Sequence, residues 1–167
     1  AENACEIEIK KCKKSIGMQD QFSTAYGGFN KIEFYKNKVT VKKIDISNQK
    51  LRYFNDHLLL FYTGINRKAD AILSRIKKSG NQFLNFEKLS QLSLIFEKEL
   101  LLGNFYNCGD ILHEGWMLKK QLNQKVSSLD LDQMYDEAIN AGAKGGEILG
   151  AGGGGYFLFL ANPKFKK

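Results

Sequence analysis

Glu147-Ile148-Leu149-Gly150-Ala151-Gly152-Gly153-Gly154-Gly155-Tyr156-Phe157-Leu158-Phe159-Leu160 is two short apolar runs held apart by five glycines in six positions. A loop with so few Cβ atoms permits positive φ and lets a ligand approach the backbone. Several of its N–H groups can turn toward one anion, which makes it a candidate phosphate nest. The letters also satisfy G-x-G-x-x-G, but a dinucleotide site needs a helix after the glycines and an acidic residue further on. Tyr156 to Leu160 instead reads as a buried strand, aromatic-rich and stopped by Pro163. No Lys-Ser or Lys-Thr follows the glycines, which excludes a P-loop. The pattern is therefore strand, glycine loop, strand. A hairpin turn whose glycines only relieve crowding is the competing reading.

The 167 residues suffice for a sizeable core, and 43% hydrophobic with 26% charged residues is the balance of a water-soluble globular chain. No stretch is apolar for long enough to span a membrane, and Ala1 to Lys14 has no apolar segment of the signal-peptide kind. Cys5, Cys12 and Cys108 are an odd number without a C-x-x-C pair, so they read as reduced thiols in a cytoplasmic protein with no metal site. The net charge of +7 suits a protein that handles anions. Its lysines are scattered and not interleaved with aromatics, so the excess reads as a solvated surface and not as a nucleic-acid interface.

Outward from the glycine loop, the order of elements is strands, then helices, then strands, which argues for α+β and against a doubly wound sheet. A helix is expected over Ala4 to Lys14, stopped by Gly17. A short helix from Gln21 to Tyr26 follows, with Asp20 as N-cap and Gly27-Gly28 as its end. Phe29 to Phe34 and Val39 to Ile44 form two strands joined at Tyr35-Lys36-Asn37-Lys38. Asp45 to Asp56 is looser and serves as a linker. His57 to Tyr62 is nearly all apolar and is expected as a central strand. Ala69, Ile72, Leu73 and Ile76 mark a helix ending before Gly80. Two longer helices carry the sets Leu89, Leu92, Phe96, Leu100 and Ile111, Leu112, Trp116, Leu122. Ser127 with Asp130 fits a capping box for a helix with Leu131, Met134, Tyr135, Ala138 and Ile139 on its buried side and Gly142 at C′.

Among residues with chemistry, Asp20 lies at a loop-to-helix junction, where a carboxylate can orient a hydroxyl and accept its proton. Its plainer role is the N-cap. Arg67, after Tyr62-Thr63-Gly64-Ile65-Asn66, sits where a guanidinium can be aimed at a phosphate; the alternative is an ordinary surface arginine. His57 and His113 lack partners at ligand spacing and read as structural. Trp116 falls on an apolar helical stripe and reads as core. The acidic group Asp130, Asp132, Asp136, Glu137 suits a helix N-terminus.

Three segments together resemble the GHMP superfamily of small-molecule kinases. They are Gly17-Met18-Gln19-Asp20-Gln21-Phe22 with Tyr26-Gly27-Gly28-Phe29-Asn30, Leu60-Phe61-Tyr62-Thr63-Gly64-Ile65 with Arg67, and Leu149-Gly150-Ala151-Gly152-Gly153-Gly154-Gly155-Tyr156. Within it, His113-Glu114-Gly115-Trp116 and Leu118-Lys119-Lys120 are similar to the D-glycero-D-manno-heptose 7-phosphate kinases. The resemblance implies an α+β fold: the tail of an N-terminal kinase domain over residues 1–44, a linker over 45–56, and a ferredoxin-like C-terminal domain with an antiparallel sheet over 57–167. It further implies Asp20 as the catalytic residue and Gln19, Gln21, Arg67, Gly152 and Gly153 as substrate contacts. Gly150, Ala151, Gly152, Gly153, Gly154 and Gly155 would form the phosphate-adjacent loop, with a sugar phosphate and ATP as ligands and Mg2+ as cofactor. The superfamily's upstream phosphate loop, Gly-Leu-Gly-Ser-Ser-Ala in type, has no counterpart here, nor have its magnesium ligands, and Glu147 stands where a lysine is expected. These residues alone, truncated at both ends relative to the family, are therefore expected to be inactive. A ligand-binding or regulatory module without chemistry is the rival expectation.

Overall fold

The computed structural model describes residues 1–67, 69–78 and 82–165. The chain divides into two compact units, Ala1–Ile46 and Ser47–Lys167.

The first unit opens with α1 (Glu2–Cys5), which widens into a π-helical stretch, Glu6–Lys11. The expected stop at Gly17 comes earlier. Cys12 N–H reaches back to Ile7 O at 2.8 Å, and Lys13 takes φ 52, a left-handed conformation that ends the helix. Next, α2 (Gln19–Tyr26) begins two residues before the expected start. Its N-cap is Met18 and not Asp20, so the Asp20 carboxylate sits inside the first turn, where it complements the helix dipole instead of capping. The hairpin β1 (Asn30–Phe34) and β2 (Val39–Lys43) is antiparallel, with Ile32 opposite Val41, and closes through Tyr35 N–H to Lys38 O at 2.9 Å. Buried Phe22 meets Phe34 edge-on, which fixes α2 on this hairpin.

The second unit starts with a helix where a linker is expected. Ser47 Oγ accepts from Lys50 N–H and caps α3 (Asn48–His57), whose Leu51, Phe54 and His57 turn inward at a spacing of three. The chain continues into β3 (Leu58–Tyr62). β3 is an edge strand, not a central one, because the sheet order is β3-β5-β4, with β4 (Ala143–Ile148) and β5 (Tyr156–Ala161). All pairings are antiparallel. The centre goes to β5, whose Phe157, Phe159, Leu160 and Ala161 are all buried.

Between these strands run α4 (Ala69–Lys78), α5 (Phe83–Leu102), α6 (Phe105–Leu122) and α7 (Leu129–Asn140). Gly80, expected beyond the end of α4, lies outside the described residues. Gly103 turns α5 into α6 in the left-handed conformation, φ 86. The cap of α7 is Ser128, one residue after the expected Ser127. Its Oγ accepts from Leu131 N–H, while Ser127 Oγ donates to Asp132. The core is aromatic: Tyr135 of α7 lies with its ring 6.2 Å from Trp116, 6.0 Å from Phe157 and 5.5 Å from Phe159. Ile72, Leu131 and Ile148 are among the aliphatic residues packed with it. The α+β expectation with antiparallel sheets holds.

Candidate functional site

The glycine segment forms the connection of the β4–β5 hairpin, closed at its base by Leu149 N–H donating to Tyr156 O at 2.9 Å. Gly150, Gly152, Gly153, Gly154 and Gly155 all have positive φ, so the path suits no run of L-residues. Two neighbouring segments of the same unit hold it.

On one side is the connection between α6 and α7. Gly153 N–H donates to Val126 O at 2.6 Å. A Cβ on Gly153 would run into Ile72 Cδ1 and come within 2.9 Å of Lys125 O. On the other side is the turn after β3. Buried Thr63 donates from both N–H and Oγ1 to Gly155 O, each at 2.9 Å, and its Oγ1 also accepts from Ile65 N–H at 3.2 Å. Gly155 N–H returns a bond to Ile65 O at 2.9 Å. Arg67 completes this grip with Nε to Gly152 O at 2.5 Å and Nη2 to Leu149 O at 3.4 Å.

Gly153 and Gly155 therefore spend their N–H groups inside the protein. Gly153, expected to contact substrate, has no amide free to do so. Among the described residues, the N–H groups of Gly150, Gly152 and Gly154 meet no protein acceptor. Beside Gly153 lies an open groove of about 570 Å³, lined by Ile65, Lys125, Ser127, Ser128 and Asp130 among others.

Glu147, where a lysine is expected, is paired with a lysine of α6. Lys119 Nζ lies 3.0 Å from Glu147 Oε2 and donates to Ile148 O at 2.7 Å. It ties the last residues of β4 just before the glycines. His113 lies earlier on the same helix, its Nδ1 2.8 Å from Tyr135 Oη. Burial pushes the Tyr135 phenol up to about 12 and the Cys108 thiol up to about 11, so both stay neutral and inert near pH 7.

In the first unit, Gln19 and Asp20 are exposed on the opening turn of α2, and Asp20 O accepts from Ser23 Oγ at 3.1 Å. Gln21 points inward, 8% exposed, and its Oε1 has no hydrogen-bond partner among the described residues. A buried amide oxygen left unpaired is costly, and a ligand hydroxyl is one group that satisfies it. Trp116 is fully buried, as its stripe predicts. His57 packs its Nδ1 2.8 Å from Tyr53 O beside Phe105, in keeping with a structural role. Among the described residues no group of three His, Cys, Asp or Glu side chains could hold a metal ion, and no helix is long and apolar enough to cross a membrane.

Sequence reasoning gave Thr63, Ile65 and Lys119 no role of their own, although they stand in the quoted segments, and overlooked Val126. The Thr63-Gly64 pair signals a turn, but nothing local says that the turn grips a loop some ninety residues later.

A glycine-rich hairpin clasped by a strand-to-helix turn, on an antiparallel sheet carrying helices, has a family counterpart. Residues 96–166 match the family described as GHMP kinases C terminal. Along its length the chain is 33% identical over 170 residues to the D-glycero-alpha-D-manno-heptose 7-phosphate kinase of Campylobacter jejuni subsp. jejuni serotype O:2, covering 99% of this chain and 50% of that protein. It is similar in structure to a D-glycero-D-manno-heptose 1-phosphate kinase from Bacteroides thetaiotaomicron, with TM-score 0.67, 27% identity, and 99% and 44% of the two chains covered. A putative sugar kinase from Campylobacter jejuni matches with TM-score 0.68 and 29% identity, over 99% of this chain and 47% of that one. The chain spans about half the length of the curated heptose phosphate kinase it matches.

Proposed function

We propose that this chain is the acceptor-side portion of an ATP-dependent sugar-phosphate kinase whose substrate is D-glycero-D-manno-heptose 7-phosphate. The observation that carries the reading is the glycine hairpin. Its backbone is held from behind by Thr63, Ile65, Arg67 and Val126, while among the described residues the N–H groups of Gly150, Gly152 and Gly154 meet no protein acceptor. Fixed donors of this kind stabilise charge developing on a transferred phosphoryl group without reorganising. The likeness to a heptose 7-phosphate kinase along 99% of the chain supports the sugar class.

Asp20 takes the role of base or orienter for the attacking hydroxyl, which suits an exposed carboxylate on a rigid first turn. Gln19 and the unpaired Oε1 of Gln21 complete the sugar contacts. Phosphoryl transfer is mostly positioning and charge neutralisation, and a braced amide loop serves the latter. ATP delivers the phosphoryl group, and Mg2+ would accompany its phosphates, supplying charge neutralisation there. Residues 1–167 by themselves are then inactive, and the protein works in the cytoplasm.

The test is a phosphorylation assay on the gene product with ATP, Mg2+ and the heptose 7-phosphate, followed by 31P NMR. A second sugar phosphate signal that Asp20→Ala abolishes supports the proposal. Turnover unchanged in Asp20→Ala, or no turnover with any sugar phosphate, refutes it and leaves a binding module. Turnover by residues 1–167 alone refutes the inactivity.

A further inference from the structure

We infer that Arg67 is a positioning residue that sets which face of the glycine loop offers N–H groups, and that it acts through backbone carbonyls, not by holding the substrate's own phosphate. This rests on the kinase reading above for its catalytic consequence, but not for its geometry.

A trans peptide is planar, with C=O and N–H pointing in opposite directions. Arg67 Nε takes the Gly152 carbonyl at 2.5 Å, and the N–H of that same peptide unit, on Gly153, points the other way to Val126 O at 2.6 Å. The unit joining Gly152 to Gly153 is thus strung between a guanidinium and a carbonyl. Polarisation by the cation strengthens the N–H donor at the far end. Arg67 Nη2 takes the Leu149 carbonyl at 3.4 Å. The N–H of that unit belongs to Gly150, so it must face away from the guanidinium, and it meets no protein acceptor among the described residues. One side chain therefore draws two carbonyls inward and turns at least one amide outward. A carbonyl facing an incoming phosphoryl oxygen would repel it, whereas an amide attracts it.

The geometry explains why arginine is used. Its rigid fork reaches two oxygens that are three residues apart, and it stays charged at every working pH. A lysine supplies a point charge for one of them. The Thr63 bonds to Gly155 O do not replace it, because they fix the other end of the loop.

Two arms test the inference on Arg67→Met and Arg67→Lys. The first is amide hydrogen exchange of the 149–156 segment, which needs no substrate. Arg67→Met should speed exchange at Gly153 at least tenfold, Arg67→Lys should fall between, and peptides around Trp116 should match wild type. The second is kinetics on the gene product with ATP and the heptose 7-phosphate. The positioning role lowers kcat by about 100-fold in Arg67→Met, the scale of losing one oxyanion donor, with KM within about threefold. A large rise in KM with kcat kept means that Arg67 binds the substrate phosphate directly, and overturns the inference. Unchanged exchange at Gly153 also overturns it. If wild type shows no turnover, the kinase reading fails, and the exchange arm still decides whether Arg67 sets the loop.

Discussion

Alanine at Gly153 separates the two reasons a loop can be rich in glycine. If the residue is small to admit a ligand, a methyl group costs binding and little stability. If it is small because the protein itself fills the space, the fold loses stability with no ligand present. The structure favours the second at this position. The methyl would meet Ile72 Cδ1, a flexible tip, but also Lys125 O at 2.9 Å, a backbone atom that cannot swing aside. Gly153 also sits at φ +73. A left-handed alanine costs about 1–2 kcal/mol, and forcing a methyl into a filled site adds about 1–3 kcal/mol.

Gly155→Ala is the matched control. It has φ +95 but nothing within 4 Å of its Cβ, so only the backbone cost of about 1–2 kcal/mol applies. Gly17→Ala, with open space and no positive φ, should be neutral or slightly stabilising. Urea unfolding followed by fluorescence suits this test, because the single tryptophan, Trp116, is fully buried in the same core. Gly153→Ala should lose about 3 kcal/mol, or about 6–12 °C in Tm. Equal losses for Gly153→Ala and Gly155→Ala would refute the packing of this loop against Ile72 and Lys125.

Other expected outcomes follow from the same contacts. Lys119→Met strands the Glu147 carboxylate and frees Ile148 O, and should cost about 1–2 kcal/mol in urea unfolding, with part recovered by adding Glu147→Gln. Asp20→Ala should lower kcat by about 10²–10⁴-fold in the gene product, while its stability changes by no more than about 1 kcal/mol. The alkaline limb of stability is set by buried neutral acids. Tyr135 and Cys108 ionise more readily unfolded than folded, so the native state holds protons that the unfolded state has lost. Their contribution is intact below the unfolded values, 10.0 for Tyr135 and 9.0 for Cys108, and falls away as pH rises through about 12 and about 11 respectively. The urea midpoint should therefore drop between about pH 9 and 12, less steeply in Tyr135→Phe; an identical slope would contradict the burial of that phenol.

What the sequence discloses depends on how far apart the interacting groups lie along it. The β4–β5 hairpin is readable because apolar runs and glycines adjoin. The α5–α6 pair is readable because its stripes span several turns and break at Gly103. Helix α3 is masked by its polar surface, although Ser47 and the spacing of Leu51, Phe54 and His57 carry the signal. An apolar run such as Leu58–Tyr62 suggests a central strand, yet position in a sheet is decided by partners elsewhere, and β5 is the more buried strand. The Asp20 and Ser127 assignments each miss because a polar residue near a helix start need not be the one whose backbone leaves the helix; Met18 and Ser128 do that here.

The site shows the same division. Glycine density marks the loop as special, and the structure shows that a Cβ at Gly152 or Gly153 would be stopped by the protein's own atoms, while Gly155 faces open space. Steric relief and ligand access are thus not rival explanations of one motif: Gly152 and Gly154 leave no room for a Cβ, and among the described residues their N–H groups still meet no protein acceptor. Arg67 reads as a phosphate ligand because an arginine after a strand is usually judged by its charge alone. Here that charge faces carbonyls 82 and 85 residues away, and its effect on an anion passes through the peptide units it orients. A residue that shapes a site through main-chain groups leaves no mark in local sequence, since the groups it touches are common to every amino acid.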